Sequence, residues 1–405
     1  MLSLLLNTIP EIYNIMKRLL YIVSLLIIST LSFANNSNII MGAEQYNQYL
    51  PLLKGKKVAI CSNHTGMIGD DHLLDVLIEQ QINVTAIFSP EHGFRGSADA
   101  GEHVASSKDS KTGVPILSLY DGKDGKPSSE AMNQFDILVF DIQDVGLRFY
   151  TYYVTMAKLM DACAIHNKSM IVLDRPNPNG HYVDGPILNM KHKSGVGYLP
   201  IPVVHGMTLG ELALMINGEK WLPKNRVCEL KVIPCKNYTH QTRYELPIAP
   251  SPNLPNMLSI YLYPSTCLFE GTVVSLGRGT PFPFQIYGHP KMKNKYTFSF
   301  TPLSIPGAKN PPLLNQKCYG VDLTNLGDAT VYNMGIDLSY IIDAYKAVNI
   351  GDKFFTSFFT KLIGVEYVKE EIVKGKSAKE IQAMWKTDVE NFKTQRKPYL
   401  LYPEN

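Results

Sequence analysis

Glu91 is the residue whose type and setting most favour acid–base chemistry in this sequence. It follows Pro90 at the end of the apolar run 84–89 and precedes His92. A carboxyl group at the mouth of an apolar strand is partly desolvated, which raises its pKa. A carboxylic acid that is still protonated near neutral pH is the general acid that cleavage of a glycosidic bond requires, and His92 is placed to tune its proton. An ion pair between Glu91 and Arg95 that only holds the loop is an equally good interpretation.

Asp141 and Asp144 are the candidates for a second carboxylate. They flank Gln143 where the apolar run 136–141 ends. A second carboxylate can activate a water molecule or stabilise a forming oxocarbenium ion. Asp is also common at the N-terminus of a helix, and for Asp144 such capping is the stronger interpretation.

Three arginines are candidates for binding a carboxylate of a ligand through a bidentate fork: Arg148, Arg175 and Arg278. For any one of them, a structural salt bridge is the simpler interpretation. Arg278 lies between two glycines, where the backbone can approach a ligand closely. The other residues predicted to contact a ligand are Asn63, His64, Arg95, Gln143, Tyr150, Asn177, His205, Asn253 and Glu270.

Short apolar runs alternate with helical segments from residue 56 onward and must position these residues. Continuous apolar strands separated by helices indicate a parallel sheet that is covered on both faces. Ligands bind outside the carboxyl ends of such strands, so we expect the polar clusters that follow the strands to lie along one rim. The predicted strands are 57–63, 84–89, 116–120, 136–141 and 169–174, and the predicted helices between them are 71–81 and 152–167.

The pattern predicts a Rossmann-like, doubly wound, mostly parallel α/β domain over residues 43–225. After Trp221 the alternation gives way to Pro-rich and Tyr-rich segments, and helices return near 338–348, 352–362 and 377–384. We therefore predict a smaller α+β C-terminal domain over residues 226–405 that closes a cleft. The first turn, residues 63–69, lacks two glycines of the dinucleotide-binding fingerprint, so no nucleotide cofactor is expected.

The composition excludes other classes of protein. Among 405 residues, 39 Lys and Arg nearly balance 36 Asp and Glu. The net charge of +3 is too small to indicate binding of nucleic acid. The six cysteines form no CxxC pair, so we expect no thiolate zinc site. We also expect no other metal. Buried free thiols are the simplest expectation, and Cys228 with Cys235 is the best candidate for a disulfide.

Residues 1–34 have the features of an export signal. A short basic segment at 16–18 precedes an apolar stretch at 19–28 and small residues at 32–34, and Met16 is the expected true start. The apolar stretch is shorter than the roughly 20 residues of a membrane span, so no stable membrane insertion is expected after cleavage. An uncleaved N-terminal anchor is the alternative. We expect the mature chain to be periplasmic or secreted.

Several long motifs, in order along the chain, resemble one family, the exo-β-N-acetylmuramidases represented by NamZ. The resemblance implies a Rossmann-like domain and a smaller C-terminal domain with a cleft between them. It also implies hydrolysis of MurNAc–GlcNAc fragments of peptidoglycan, with Glu91 as the catalytic acid/base. Muramic acid carries a carboxylate that glucosamine lacks, so one of the three arginines is expected to bind it. The motifs are residues 90–96 (PEHGFRG), 140–152 (FDIQDVGLRFYTY), 173–180 (LDRPNPNG), 184–186, 205–211, 250–253 and 269–271.

Two other functions stay open from the residues alone. A metal-dependent cell-wall hydrolase or amidase would use His64, Glu91, His92 and His103, although no HExxH-type motif supports it. A protein that binds muropeptides without cleaving them would need the same two-domain cleft.

Overall fold

The predicted apolar runs form the strands of a central sheet. The protein is described by a computed structural model that covers residues 39–90, 94, 107–119 and 125–404. The predicted export signal, Glu91, His92, Arg95 and His103 lie outside these residues. The strands are β1 (Lys57–Ser62), β2 (Met67–Ile68), β3 (Asp71–His72), β4 (Asn83–Ser89), β5 (Ser107–Lys108), β6 (Pro115–Ser118), β7 (Ile137–Asp141), β8 (Ser169–Leu173), β9 (Glu229–Ile233), β10 (Ile286–His289), β11 (Ser299–Phe300) and β12 (Cys318–Asp322).

The central sheet has seven strands in the order β5-β6-β4-β1-β7-β8-β9. Only β5 runs antiparallel to its neighbour, and the other pairs are parallel. In β1, Val58 and Ile60 pack into one apolar layer while Ala59 and Cys61 pack into the other. Both faces of the sheet are therefore buried, which confirms the predicted doubly wound α/β fold.

Helices cover both faces of this sheet. Helices α1 and α2 pack on the Ile60 face, and α4 and α5 pack on the Ala59 face. Short 3-10 turns lie at Gly42–Glu44, Met190–His192, Pro223–Asn225, Cys267–Gly271, Pro290–Asn294, Gly351–Phe354 and Lys397–Tyr399. The α-helices are α1 (Tyr46–Leu53), α2 (Leu73–Glu79), α3 (Ser129–Met132), α4 (Tyr152–Ile165), α5 (Leu209–Gly218), α6 (Met257–Thr266), α7 (Asp328–Tyr332), α8 (Ser339–Val348), α9 (Ser357–Ile363), α10 (Tyr367–Val373), α11 (Ala378–Met384) and α12 (Lys386–Arg396).

Helix α2 begins two residues later than the predicted start at residue 71. Asp71 and His72 instead belong to strand β3, which pairs with β2 in a small hairpin. The His72 side chain accepts a hydrogen bond from the Leu74 N–H and so caps the helix. A histidine cap is not among the common N-cap residues, and the sequence pattern therefore does not reveal this boundary.

The C-terminal part is mixed α and β. Its strands form an antiparallel sheet in the order β10-β12-β11, and helices α6 to α12 lie in the same part of the chain. Strand β9 follows residue 225 but belongs to the central sheet, so that sheet extends beyond the predicted domain boundary. One apolar cluster joins the Ala59 face to C-terminal residues such as Phe359 and Trp385.

All six cysteines are buried free thiols. The Cys228 thiol lies 3.6 Å from the Glu229 carbonyl oxygen, and the Cys235 thiol lies 3.2 Å from the Asp174 carbonyl oxygen. The disulfide considered between Cys228 and Cys235 is therefore not formed. Among the described helices, none combines the length and the apolar character that crossing a membrane demands.

The last residues of the chain bind back to the central sheet. The Tyr402 hydroxyl donates to the Asp174 carboxylate at 2.6 Å, directly after strand β8, and accepts from the Cys235 N–H at 2.9 Å. Asp174 also accepts from the Thr208 hydroxyl at 2.6 Å and the Gly210 N–H at 2.8 Å. All these side chains are buried, so the hydroxyl of Tyr402 satisfies polar groups that water does not reach.

We predict that Tyr402→Phe lowers the free energy of unfolding by about 1–3 kcal/mol, because the buried Cys235 N–H loses its acceptor. Urea unfolding followed by circular dichroism measures the change. The matched control is Tyr46→Phe, since Tyr46 is 37% exposed and its hydroxyl bonds to no described residue. Equal stability of the two variants would contradict the role given to Tyr402.

Candidate active site

The loops after β1 and β7 meet where the strand order of the central sheet reverses. Strand β4 lies on one side of β1 and strand β7 on the other. Asn63 donates to the Tyr152 hydroxyl at 2.9 Å and accepts from the Thr65 hydroxyl at 2.6 Å. The Thr65 hydroxyl accepts in turn from the Gln143 N–H at 3.0 Å. In open α/β sheets such a crevice is where ligands bind. Asn63 is itself buried and holds these two loops together.

Asp141 and Arg175 form a buried bidentate ion pair between the ends of β7 and β8. Their N···O distances are 2.5 and 2.9 Å, and Arg175 also donates to the Met67 carbonyl oxygen at 3.0 Å. Burial alone lowers the pKa of Arg175, but the charge of Asp141 outweighs it and raises that pKa. Both oxygens of Asp141 are occupied, so the structure gives no support to its predicted catalytic role.

Asp144 is buried in a tight turn. One carboxylate oxygen accepts from the Gly146 N–H at 2.7 Å, and the other has no partner among the described residues. Burial raises its pKa to about 7, against the opposing hydrogen bonds from the backbone N–H groups of Gly146 and Val145. Helix α4 begins only at Tyr152, so the predicted helix-capping role is wrong.

Asp144 borders a small void of about 10 Å³ together with Asn177 and Thr208. Asn177 is committed to the backbone, since it donates to the Met207 carbonyl oxygen at 2.9 Å and accepts from the Asn179 N–H at 2.8 Å. A void of this size holds about one water molecule.

Arg148 and His205 are also internal. The Arg148 guanidinium is fully buried and donates to four carbonyl oxygens, those of Pro186, Ile201, Leu362 and Ile363. It therefore joins the sheet-end loops to helix α9 and is not presented to a ligand, contrary to the prediction. His205 is wholly enclosed, and burial, followed by the charges of Arg396 and Arg148, lowers its pKa to about 3. Its predicted contact with substrate is likewise unsupported.

A cleft of about 270 Å³ lies beside this rim. Its walls are rich in aromatic rings that pack edge to face. The Tyr150 ring lies 4.9 Å from Tyr152 and 6.2 Å from Tyr263, and the Tyr263 ring lies 4.7 Å from Phe284. Such rings provide rigid apolar faces with polar edges, which suits a ligand that has both kinds of surface.

The segment 249–253 forms another wall of the cleft and is fastened to the sheet edge. The Tyr150 hydroxyl donates to the Pro250 carbonyl oxygen at 2.8 Å, and a ring nitrogen of His64 lies 2.9 Å from the Ala249 carbonyl oxygen. Asn253 donates to the Gly307 carbonyl oxygen at 2.9 Å. His64 therefore supports the wall, whereas Tyr150 and Asn253 line the cleft.

Glu270 and Arg278 are the only charged residues among the described residues that line the cleft. The Nε and Nη2 atoms of Arg278 donate to one oxygen of Glu270 at 3.0 and 2.6 Å. Burial lowers the pKa of Arg278, but the charge of Glu270 outweighs burial and raises that pKa above its ordinary value. The guanidinium therefore stays charged. Both side chains are partly exposed, at 19% for Arg278 and 23% for Glu270.

Gly277 and Gly279 position Arg278. Both have positive φ angles, 86° and 80°. A Cβ atom at either position would lie 2.5 Å from a carbonyl oxygen, that of Phe282 or of Leu303. Only glycine fits these two positions, which is the physical reason for the Gly-Arg-Gly spacing.

A second cavity, of about 500 Å³, is lined by other residues that the sequence analysis predicted to be in the site. Gln143 and Arg175 line it together with Thr65 and the segment 247–248. Residues 247–248 line this cavity, whereas Ser251 and Asn253 line the cleft, so one segment contributes to both spaces. Among the described residues, Gln143 and Arg175 line this cavity, whereas Tyr150, Asn253, Glu270 and Arg278 line the cleft.

Sequence analysis missed part of the cleft wall. Phe149, Tyr152, Phe284, Val196 and Phe358 line it but were not predicted as site residues. The run 149–153 (FYTYY) is the one local signal for aromatic residues near the rim. Nothing local indicates Val196 or Phe358, which tertiary packing brings to the cleft.

Comparison with known proteins identifies relatives over nearly the whole chain. Two family models match, described as exo-beta-N-acetylmuramidase NamZ, N-terminal, over residues 58–258, and NamZ, C-terminal, over residues 261–402. The peptidoglycan beta-N-acetylmuramidase NamZ of Bacillus subtilis (strain 168) is 38% identical over 372 residues, which cover 87% of this chain and 89% of that protein.

Two crystal structures of DUF1343 family proteins from Bacteroides fragilis have the same fold. The first is 65% identical with a TM-score of 0.86, and the match covers 91% of this chain and all of that one. The second is 28% identical with a TM-score of 0.75, and the match covers 90% of this chain and 99% of that one.

We predict that Asp144→Asn changes how stability depends on pH. Because the folded-state pKa of about 7 lies above 3.8, the ordinary pKa of an aspartate, the contribution of Asp144 to stability is fully present below about pH 4 and is lost as the pH rises through 7. As the pH rises from 5 to 8, the free energy of unfolding of the variant should therefore increase by about 2–3 kcal/mol relative to that of wild type.

Urea unfolding at pH 5, 6.5 and 8 measures this difference, with Asp343→Asn, on the exposed face of α8, as the control. Parallel stability profiles for wild type and Asp144→Asn would show that burial does not perturb this carboxyl group.

Proposed function

The chain belongs to the NamZ family of exo-β-N-acetylmuramidases, and from that membership we propose that it is a glycoside hydrolase acting on peptidoglycan. Its proposed reaction is release of N-acetylmuramic acid from the non-reducing ends of MurNAc–GlcNAc fragments. The observation that carries the proposal is the aromatic cleft, in which Glu270 and Arg278 are the charged members of the described lining.

Arg278 is the proposed ligand of the muramic acid carboxylate. Of the three arginines considered, Arg148 is bound to four carbonyl groups and Arg175 to Asp141. Arg278 lines the cleft and is partly exposed. A guanidinium has five N–H donors, and the bonds to Glu270 use two of them. The remaining donors can bind the substrate carboxylate, while Glu270 holds the guanidinium in place.

Glu91 is the proposed general acid, which protonates the leaving oxygen of the glycosidic bond. It follows Pro90, the residue next to the end of strand β4, and it belongs to the motif that resembles the catalytic motif of the family. Strand β4 pairs with β1, whose exit loop bonds to Tyr152 in the cleft. This placement along the chain supports Glu91 in preference to Asp141, which is occupied by Arg175.

The proposed place of action is outside the cytoplasm, where cell-wall glycans lie. The proposal rests on the signal-like pattern of residues 1–34 and on the substrate class.

We predict that Glu91→Gln keeps the fold but lowers kcat by about 10²–10⁴-fold, because the amide cannot donate the proton. Hydrolysis of a chromogenic muramic acid glycoside measures kcat, and circular dichroism checks the fold. The control is Glu130→Gln, an exposed residue at the start of α3. A near wild-type rate for Glu91→Gln would remove Glu91 from this role.

A companion assay follows a MurNAc–GlcNAc disaccharide by proton NMR with and without exhaustive chelation. Release of free MurNAc that survives chelation supports the proposed hydrolase. Activity that disappears with chelation and returns with added metal would favour a metal-dependent hydrolase, and binding without release would favour a muropeptide-binding protein.

We predict that Arg278→Ala lowers kcat/KM for the muramic acid glycoside about 10–100-fold, since a charge-assisted hydrogen bond contributes about 1.5–3 kcal/mol. The same variant should lose its preference for muramic acid over the matching glucosamine glycoside, because only muramic acid has the carboxylate. The control is Arg243→Ala, which removes a partly exposed arginine that pairs with Asp328 and does not line the cleft. An unchanged preference in Arg278→Ala would contradict the assignment.

A further inference from the structure

The second cavity lies beside the cleft and is large enough to hold a ligand of its own. Its volume of about 500 Å³ falls within the usual range for small-molecule sites. Three hydrogen bonds connect the walls of the two spaces: from the Gln143 N–H to the Thr65 hydroxyl at 3.0 Å, from that hydroxyl to Asn63 at 2.6 Å, and from Asn63 to the Tyr152 hydroxyl at 2.9 Å. Gln143 and Thr65 line the cavity, and Tyr152 lines the cleft. The two spaces are therefore neighbours at the carboxyl edge of the sheet.

Gln143 provides the cavity with a fixed hydrogen-bond acceptor. The residue is 4% exposed, and its side-chain nitrogen donates to the carbonyl oxygens of Asp144 at 2.8 Å and Pro176 at 2.7 Å. Because both neighbours are acceptors, the group that faces them is the NH₂ group, and this fixes the orientation of the amide. The Oε1 atom receives no hydrogen bond from any described residue. That oxygen is therefore free to accept a hydrogen bond from a ligand in the cavity.

Arg175 provides a fixed hydrogen-bond donor in the same cavity. Its Nε and Nη2 atoms donate to Asp141, and Nη2 also donates to the Met67 carbonyl oxygen at 3.0 Å. The Nη1 atom contacts the thioether sulfur of Met41 at 3.1 Å, which is a weak acceptor. One N–H group of Nη1 is left without a partner among the described residues. Because Asp141 neutralises the guanidinium, this N–H suits a neutral carbonyl oxygen better than a second carboxylate.

The rest of the described lining has an apolar part and an acidic part. The apolar part consists of Met41, Met67, Pro247 and Ile248. Glu44 accepts from the Met41 N–H at 2.6 Å with one carboxylate oxygen, and neither its other oxygen nor the exposed Asp70 carboxylate has a hydrogen bond to a described residue. The apolar part suits a methyl group, and the carboxylate oxygens can accept hydrogen bonds from sugar hydroxyls.

We propose that the second cavity binds the N-acetylglucosamine that leaves when muramic acid is released, and that it recognises the acetamido group of this sugar. The inference rests on the proposed function. An acetamido group has one N–H donor and one carbonyl acceptor, which complement the free acceptor and the free donor of the cavity. Its N–H donates to Oε1 of Gln143, its carbonyl oxygen accepts from Nη1 of Arg175, and its methyl group packs against the apolar part of the lining.

Hydrolysis of two disaccharides by the full protein tests the proposal. MurNAc–GlcNAc and MurNAc–glucose differ only in the leaving sugar, where glucose has a hydroxyl in place of the acetamido group. We expect wild type to cleave MurNAc–GlcNAc with a kcat/KM at least about tenfold higher, because the glucose compound leaves the free donor and acceptor of the cavity unmatched. Proton NMR of the released sugars measures both rates. A ratio near one in wild type would overturn the proposal.

Gln143→Met removes the acceptor and should lower that ratio to less than about threefold. The ratio is insensitive to a general loss of folded protein or of catalysis, because such a loss affects both substrates alike. The matched control is Gln80→Met, an exposed glutamine that follows the end of helix α2, and it should keep the wild-type ratio.

Ile248→Trp is a second variant, which narrows the cavity and leaves the side-chain hydrogen bonds of Gln143 and Arg175 in place. It should lower the preference for MurNAc–GlcNAc over a chromogenic aryl glycoside of muramic acid, which lacks the second sugar, at least about fivefold. Unchanged preferences in both Gln143→Met and Ile248→Trp would contradict the assignment of this cavity.

The same substrates separate a failure of this site from a failure of the proposed function. Cleavage of the aryl glycoside, with equal kcat/KM values for the two disaccharides, would refute the acetamido site alone. Saturation-transfer NMR detects binding of free GlcNAc through its acetamido methyl signal. A signal that Gln143→Met abolishes, without cleavage of any of the three substrates, would refute the proposed function and leave a site for an N-acetylated sugar standing. Absence of both cleavage and binding would refute both.

Discussion

Burial of both faces of the seven-stranded sheet is the constraint on which the positions of the functional groups depend. Residues of β1 and β7 pack alternately into two apolar layers, so neither face has room for a polar site. Polar side chains are consequently concentrated at the carboxyl edge of the sheet. Even there, most of them bond to each other or to the backbone, because water does not reach them. The cleft begins only where this internally satisfied layer ends.

Three arginines that the sequence analysis treats as equivalent candidates have three different roles. Arg148 replaces water for four carbonyl groups, Arg175 neutralises a buried aspartate, and Arg278 is held at the surface of the cleft by Glu270. The distinction arises from tertiary packing, since the partners of Arg148 are separated from it by up to 215 positions along the chain. Residue type alone indicates a cation and does not show which anion or dipole it meets.

The sheet was predictable because its signal is local. Apolar strands and amphipathic helices have short periods, and the predicted strands agree with the observed ones to within one or two residues at most ends. Helix α2 was less accurate because an unusual histidine cap shortens it. The cleft could be predicted only in part. Tyr150, Asn253, Glu270 and Arg278 do line it, whereas its aromatic wall is assembled from segments more than 100 residues apart. The roles of Glu91, His92 and Arg95 stay predictions.

The bonds of Tyr402 have a consequence for biosynthesis. Strand β8 is complete at Leu173, but the carboxylate of the next residue, Asp174, receives one of its hydrogen bonds from a side chain 228 positions further along. Because Tyr402 is synthesised near the end of translation, the Asp174 carboxylate lacks this hydrogen bond until almost the whole chain has been made. A fragment that stops near residue 258, where the N-terminal family model ends, would lack Tyr402 and would leave the Asp174 carboxylate without this bond.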